Sequence, residues 1–265
     1  MSYDKIPMIA WVDFKEAFRQ SGCPICHLQR KVVERYIFHL LWENVNDVTT
    51  RVHLARSLGF CPEHTWQLYH TEISRFGSGL GISIIYEDLA RSVVSGLRDF
   101  EMHLSDYLPE RPHWWQRGWA QLRAALRRIA PVLQPTGIIP AEQCQACVYS
   151  TEAEERYIHW LVEGCADSAF SRLYTASDGL CLLHLRQTLA WAAQAYPDVA
   201  RFLAGTTAAK LETLSADLSE YARKQAWQYR HEKMTEDEQN APRRASQFFG
   251  GLDRWNGQGR GMESI

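Results

Sequence analysis

Cys23-Pro24-Ile25-Cys26, followed after 34 residues by Cys61-Pro62-Glu63-His64, decides the reading of this chain, because the pattern occurs twice. At a shift of 121 positions the first pair returns as Cys144-Gln145-Ala146-Cys147, and Glu34-Arg35-Tyr36-Ile37 returns as Glu155-Arg156-Tyr157-Ile158. At a shift of 120, Gly59-Phe60-Cys61-Pro62-Glu63-His64 returns as Gly179-Leu180-Cys181-Leu182-Leu183-His184. One residue is therefore gained or lost inside the repeat. Six of the seven cysteines fall into these duplicated motifs.

Three sulfurs and one imidazole form a recognised tetrahedral donor set. A Cys-x-x-Cys pair aims both sulfurs at one point when it opens a helix. Pro24 and Pro62 suit the first helical position, where a missing N–H costs nothing. Cysteines there face the positive end of the helix dipole, which favours thiolate. Each half thus offers four donors: Cys23, Cys26, Cys61 and His64 in the first, Cys144, Cys147, Cys181 and His184 in the second. The expectation is two Cys3His sites and two zinc ions per chain, each pinning the open end of a helical hairpin. Gly59 and Gly179 read as left-handed helix terminators. Asn46 and Asp167 occupy equivalent places at the hairpin turn, as helix N-caps. Neither His27, facing Val148, nor Cys165, facing Asn44, is matched by the repeat, so both are read as non-ligands and Cys165 as a buried thiol.

Two other chemistries use the same residues. Cys-Pro-Ile-Cys resembles a dithiol redox pair, although that motif belongs beside a βαβ pattern, and none is visible here. An iron–sulfur cluster with a histidine ligand is the alternative cofactor.

The rest of the chain reads as helical. Leu28, Val32, Tyr36, Leu40 and Leu41 keep the spacing of one helical face, as do Leu89, Val93, Leu97, Phe100, Leu104 and Leu108. Leu203, Leu211, Leu214, Leu218 and Tyr221 do so in the second half, and no alternating strand pattern stands out. The expected fold is all-α: two similar helical domains, 1–136 and 137–240, joined near the breakers Pro135, Gly137 and Pro140. A polar, partly flexible tail, 241–265, follows, with Phe248 and Phe249 docking.

Composition narrows the function. Hydrophobic residues make up 46 % and charged residues 23 %, as in folded proteins. A net charge of -2 argues against a generally nucleic-acid-binding surface. The N-terminus has no signal-peptide core, and no apolar run approaches the roughly 18 residues of a membrane span. The expected location is the cytoplasm, where cysteines serve metals more than disulfides. Segment 111–130 interleaves Arg117, Arg123 and Arg127 with Trp114, Trp115 and Trp119. These six residues are candidates for contact with a partner protein, with nucleic acid as the alternative. No phosphate loop, nucleophile elbow or His-Glu-x-x-His helix is present in the sequence. Both expected metal sites are fully ligated by protein, so a non-enzymatic zinc-bearing interaction scaffold is expected, with redox or electron transfer as the alternative.

Cys-Pro-Ile-Cys, Glu-Arg-Tyr and Gly-Phe-Cys-Pro-Glu-His, with Ile85-Tyr86-Glu87-Asp88, resemble an uncharacterised bacterial family of helical proteins with tandem Cys motifs. Tyr221-Ala222-Arg223-Lys224 and Tyr229-Arg230-His231-Glu232 extend the resemblance toward residue 250. It implies the helical architecture and the paired cysteine motifs, and no activity. Gln145 and Leu182, where Pro24 and Pro62 stand, depart from the proline-containing form.

Overall fold

The helical spacing is realised in ten α-helices in a computed structural model that describes residues 6–107 and 138–253. In chain order these are α1 (Met8–Ala17), α2 (Pro24–His39), α3 (Val48–Ser57), α4 (Pro62–Phe76) and α5 (Leu80–Tyr107). Then come α6 (Gln145–Cys165), α7 (Ser168–Ala176), α8 (Leu182–Ala195), α9 (Pro197–Lys224) and α10 (Glu236–Gly250). A π turn, Leu40–Asn44, extends α2. No strand occurs among the described residues, and no helix there is long and apolar enough to cross a membrane. The fold is all-α.

Local chemistry sets the helix ends. Asp47 caps α3 by accepting from the Thr50 amide at 2.8 Å. Asp167 caps α7 by accepting from the Ala169 and Phe170 amides. The expected first cap, Asn46, is one residue off. Asp47 and Asp167 differ by 120 positions, whereas the long helices α2 and α6 start 121 apart. The register therefore changes around the π turn, which winds one residue more per turn than an α-helix and so accommodates the extra residue of the first hairpin. Gly59 and Gly179 both have positive φ, 88° and 82°, as their glycine identity suggested. Gly59 closes α3 by donating its amide to the Leu54 carbonyl at 2.8 Å.

The described residues form two compact units. One holds 6–35 and 149–253; the other holds 36–107 and 138–148. The units do not follow a linear division near residue 137, because α2 and α6 each pass from one unit into the other. The first unit has the larger core, in which Phe14, Phe18, Phe170 and Tyr174 meet edge-to-face at 5.2–6.0 Å. In the second unit, the buried Glu72 carboxylate accepts from the Gly81 and Ile82 amides at 2.6 and 2.8 Å and so caps α5. The apolar stripe of α5 buries Ile85 and Leu89, while Leu97 further along is 45 % exposed.

The expected tail is helical through Gly250. Thr235 and Glu238 form a reciprocal capping box, and Glu236, Asp237 and Glu238 place negative charge at the dipole's positive end. Lys224 pairs with Glu238 at 2.7 Å and Arg244 with Asp217 at 2.9 Å, which fastens α10 to α9. Phe248 packs against the core, whereas Phe249 is exposed.

Candidate metal centres

Four helices begin with a ligand pair, and all four pairs are built alike. Cys61 and Cys181 are the N-caps of α4 and α8, with His64 and His184 at the third helical position. Cys23 and Cys144 directly precede α2 and α6, their carbonyls accepting from His27 and Val148. Cys26 and Cys147 take the third position. N-cap and third-position side chains converge over the same open turn, the geometry a capping box exploits. Here sulfur and imidazole replace the usual oxygens, and the free amides favour thiolate.

The eight donors gather into two clusters that could each hold a metal ion, with the donor atoms of each within 4.8 Å of one another. Their pairing is crossed. Cys23 and Cys26 meet Cys181 and His184; Cys61 and His64 meet Cys144 and Cys147. The expectation that each half closes its own site is thus corrected, and helix length is the reason. The sixteen α-helical and five π-turn residues from Pro24 to Asn44 carry the chain about 31 Å away from Cys23. The ten residues of α3 span only about 15 Å, about half as far. The second hairpin, 21 residues out and nine back, has the same mismatch.

In the first cluster His184 Nδ1 lies 3.1, 3.3 and 3.4 Å from the sulfurs of Cys181, Cys23 and Cys26. Cys26 and Cys181 stand 3.8 Å apart, Sγ to Sγ. In the second, His64 Nδ1 lies 3.1, 3.3 and 3.6 Å from Cys61, Cys147 and Cys144, with Cys147 3.7 Å from Cys61. Both histidines turn the same nitrogen inward.

Without an ion the first cluster is an electrostatic compromise. Burial, then hydrogen bonding with Cys181 and Cys26, holds Cys23 well above an ordinary thiol. Hydrogen bonds with Cys23, then Cys26, pull Cys181 down. Burial would lower His184, but its contacts with Cys181, Cys26 and Glu154 outweigh this and raise it to about 11. In the second cluster burial, then the charge of Cys144, pushes Cys147 up to about 12. A cation stabilises the thiolates that these clusters crowd together, and its binding releases the protons.

Two further residues around the first cluster fall outside the motif reading. Glu154 Oε1 stands 3.0 Å from His184 Nε2, a contact of charge and distance rather than hydrogen-bond alignment. Its repeat counterpart is Val33, a mismatch directly before the matched Glu-Arg-Tyr-Ile that could have flagged it. Gly251 closes α10 with φ 78°, and a Cβ there would meet Cys26 Sγ at 3.4 Å and Cys181 Sγ at 3.9 Å. Cys165 joins neither cluster; it is buried, and burial raises its thiol to about 12. Trp114, Trp115, Trp119, Arg117, Arg123 and Arg127 lie outside the described residues.

Comparison with known proteins places this architecture. The chain is 35 % identical over 77 residues to the "Uncharacterized 23.9 kDa protein in xynA 3'region" of Caldicellulosiruptor sp. (strain Rt8B.4). That stretch is 29 % of this chain and 35 % of the relative, so the chain matches about a third of its relative's length. No solved structure matches. A family model matches residues 5–254, nearly the whole described chain, and by that match the chain belongs to the family of unknown function DUF6062.

Proposed function

We propose that the chain is a non-enzymatic zinc protein, whose two Cys3His sites lock four helix starts and so display helical surfaces to a protein partner. The donor geometry carries this reading. Zinc bonds of about 2.3 Å to sulfur and about 2.0–2.1 Å to nitrogen imply tetrahedral edges of about 3.8 Å for S···S and about 3.5 Å for S···N. One S···S separation in each cluster is 3.8 or 3.7 Å, the rest of the donor atoms lie within 4.8 Å of one another, and the S···N separations run from 3.1 to 3.6 Å. With four protein donors around each position, a bound zinc has no place for a substrate water, which suits a structural site. Cys23, Cys26, Cys181 and His184 would hold one ion, and Cys61, His64, Cys144 and Cys147 the other. Each would contribute on the order of 10 kcal/mol to folding.

Support for display comes from the second unit. Trp66, Tyr69, His70 and Ile73 lie at helical spacing on α4, and Trp66 is 57 % exposed. Trp42 stacks with Phe38 and Phe76 at 6.2 and 6.0 Å and is itself exposed. Aromatic side chains of this kind are enriched where proteins meet.

Metal content by mass spectrometry on protein purified without chelator, read beside a visible spectrum, tests the site assignment. About two zinc per colourless chain is expected; iron with sulfide and visible absorption would replace zinc by an electron-transfer cluster. For display, Trp66→Ser with Tyr69→Ser should leave zinc content unchanged and remove in-cell cross-links to a partner. Cross-links that persist unchanged would refute a role for α4.

A further inference from the structure

Although the two clusters share one donor set, they differ in how deeply their sulfurs are buried. In the first, Cys23 and Cys181 belong to the main hydrophobic core, at 2 % and 3 % exposure, and Cys26 packs against it. The Glu154 carboxylate backs His184, and Gly251 at the end of α10 lies over two of the sulfurs. A carboxylate behind a ligating imidazole fixes the ring and strengthens it as a donor. In the second, His64 is buried but Cys61 and Cys147 are each partly open to solvent. The Cys144–Cys147 turn is also tied to α3 through surface contacts: the Ala141 amide donates to the Arg56 carbonyl, and Glu142 pairs with His53 and Arg56.

Resting on the zinc reading, we infer that the sites divide the work. The cluster of Cys23, Cys26, Cys181 and His184 is a permanent structural site. The cluster of Cys61, His64, Cys144 and Cys147 is an exchangeable zinc site, which yields its ion to a competing ligand and takes it back. Exchange there is a ligand substitution without redox change. A competing donor enters at an exposed sulfur, and each thiolate released takes up a proton from water. The hold of the Cys144–Cys147 turn on α4 then follows zinc availability, which makes this joint the zinc-responsive element of the fold. At the first site two of the three sulfurs, Cys23 and Cys181, are buried, and Cys26 alone is partly open to solvent.

The test uses the full chain loaded with two zinc. Excess 4-(2-pyridylazo)resorcinol reports zinc release, and timed iodoacetamide quenching with peptide mass mapping reports which sulfurs are freed. One equivalent should leave at least tenfold faster than the other, with early label on Cys61, Cys144 and Cys147. Cys147→Ser should abolish the fast phase alone. Glu154→Gln should speed the slow phase tenfold or more and leave the fast phase unchanged. Two zinc leaving in one phase, or early label on Cys23, Cys26 and Cys181, would overturn the division while leaving the zinc reading intact. A folded chain that takes up no zinc would overturn both.

Discussion

The crossed pairing of the motifs can be tested by counting ions in two double variants. Cys23→Ser with Cys181→Ser removes two donors from one cluster and leaves the other complete. Cys23→Ser with Cys61→Ser removes one donor from each. In the first hairpin the outward run of α2 and its π turn is 21 residues, whereas α3 is only ten. Donors to one ion lie within 4.8 Å of each other, and Cys23 and Cys61 fall in different groups. The first variant should therefore keep about one tightly held zinc per chain and the second none. Each protein is washed with a mild chelator to strip three-donor remnants, then weighed by native mass spectrometry with elemental analysis alongside. Pairing within each half makes the opposite forecast. One zinc retained by the Cys23→Ser, Cys61→Ser chain would refute the crossed arrangement.

Two further outcomes follow from packing and burial. A Cβ on Gly164 would lie 2.9 Å from Phe170 Cζ, in a core where Phe170 is also gripped by Trp11, Phe14 and Phe18 at 5.2–5.3 Å. Overpacking of about 1–3 kcal/mol outweighs the gain of about 1 kcal/mol from alanine in a helix, so Gly164→Ala should lower the melting temperature by a few degrees; an unchanged or higher value contradicts that packing. Cys165 has a folded pKa of about 12 against 9.0 for an ordinary thiol, because burial disfavours its thiolate. The folded state holds this proton more tightly than the unfolded chain does. Its contribution is thus fully present below about pH 9 and is lost as pH climbs through about 12. Denaturation across that window should show a shallower alkaline decline for Cys165→Ala; identical slopes would place the thiol in water.

The donors were legible because ligand chemistry lives in short spacings. A cysteine at the N-cap and a cysteine or histidine three residues on point into one turn whatever the rest of the chain does. Asp167 and the two positive-φ glycines were legible for the same local reason. Asp47 was missed by one residue, since a π turn has no composition that marks it and shifts the register silently. The pairing could not be read in the same way. Motif spacing shows that four donors exist within 42 residues, from Cys23 to His64, but not that the helix between them outruns its return. That needed the boundaries of α2 and α3, and apolar spacing does not reveal where a helix turns back. At α10 the capping box of Thr235 and Glu238 was in plain view. Polar composition and Pro242 argued for a tail, and ion pairs to α9 outweighed both. Glu154 stood beside a matched tetrapeptide, where one mismatch in an aligned pair carried more information than composition did.

Crossed pairing also orders the assembly of the sites. Cys26 and His184 are 158 residues apart, while His64 and Cys147 are 83 apart, and the shorter loop lies wholly inside the longer. Loop closure costs about 1.5 RT times the logarithm of loop length. The inner site thus closes first, and its closure cuts the outer loop to roughly 70 flexible residues. That shortening is worth about 0.7 kcal/mol, or roughly a threefold gain in closure rate for the outer site. Refolding the reduced chain into cobalt, which reports thiolate ligation by its charge-transfer band, measures both steps. Cys61→Ser with Cys147→Ser should slow filling of the outer site about threefold, whereas Cys23→Ser with Cys181→Ser should leave the inner rate unchanged. Equal outer rates with and without the inner site would mean the helices dock before either ion binds, so that the metals fasten a fold already made. A threefold difference would mean that the inner site serves as the nucleus. The site that gives up its ion most readily in the folded chain would then be the one that first brings the two halves together.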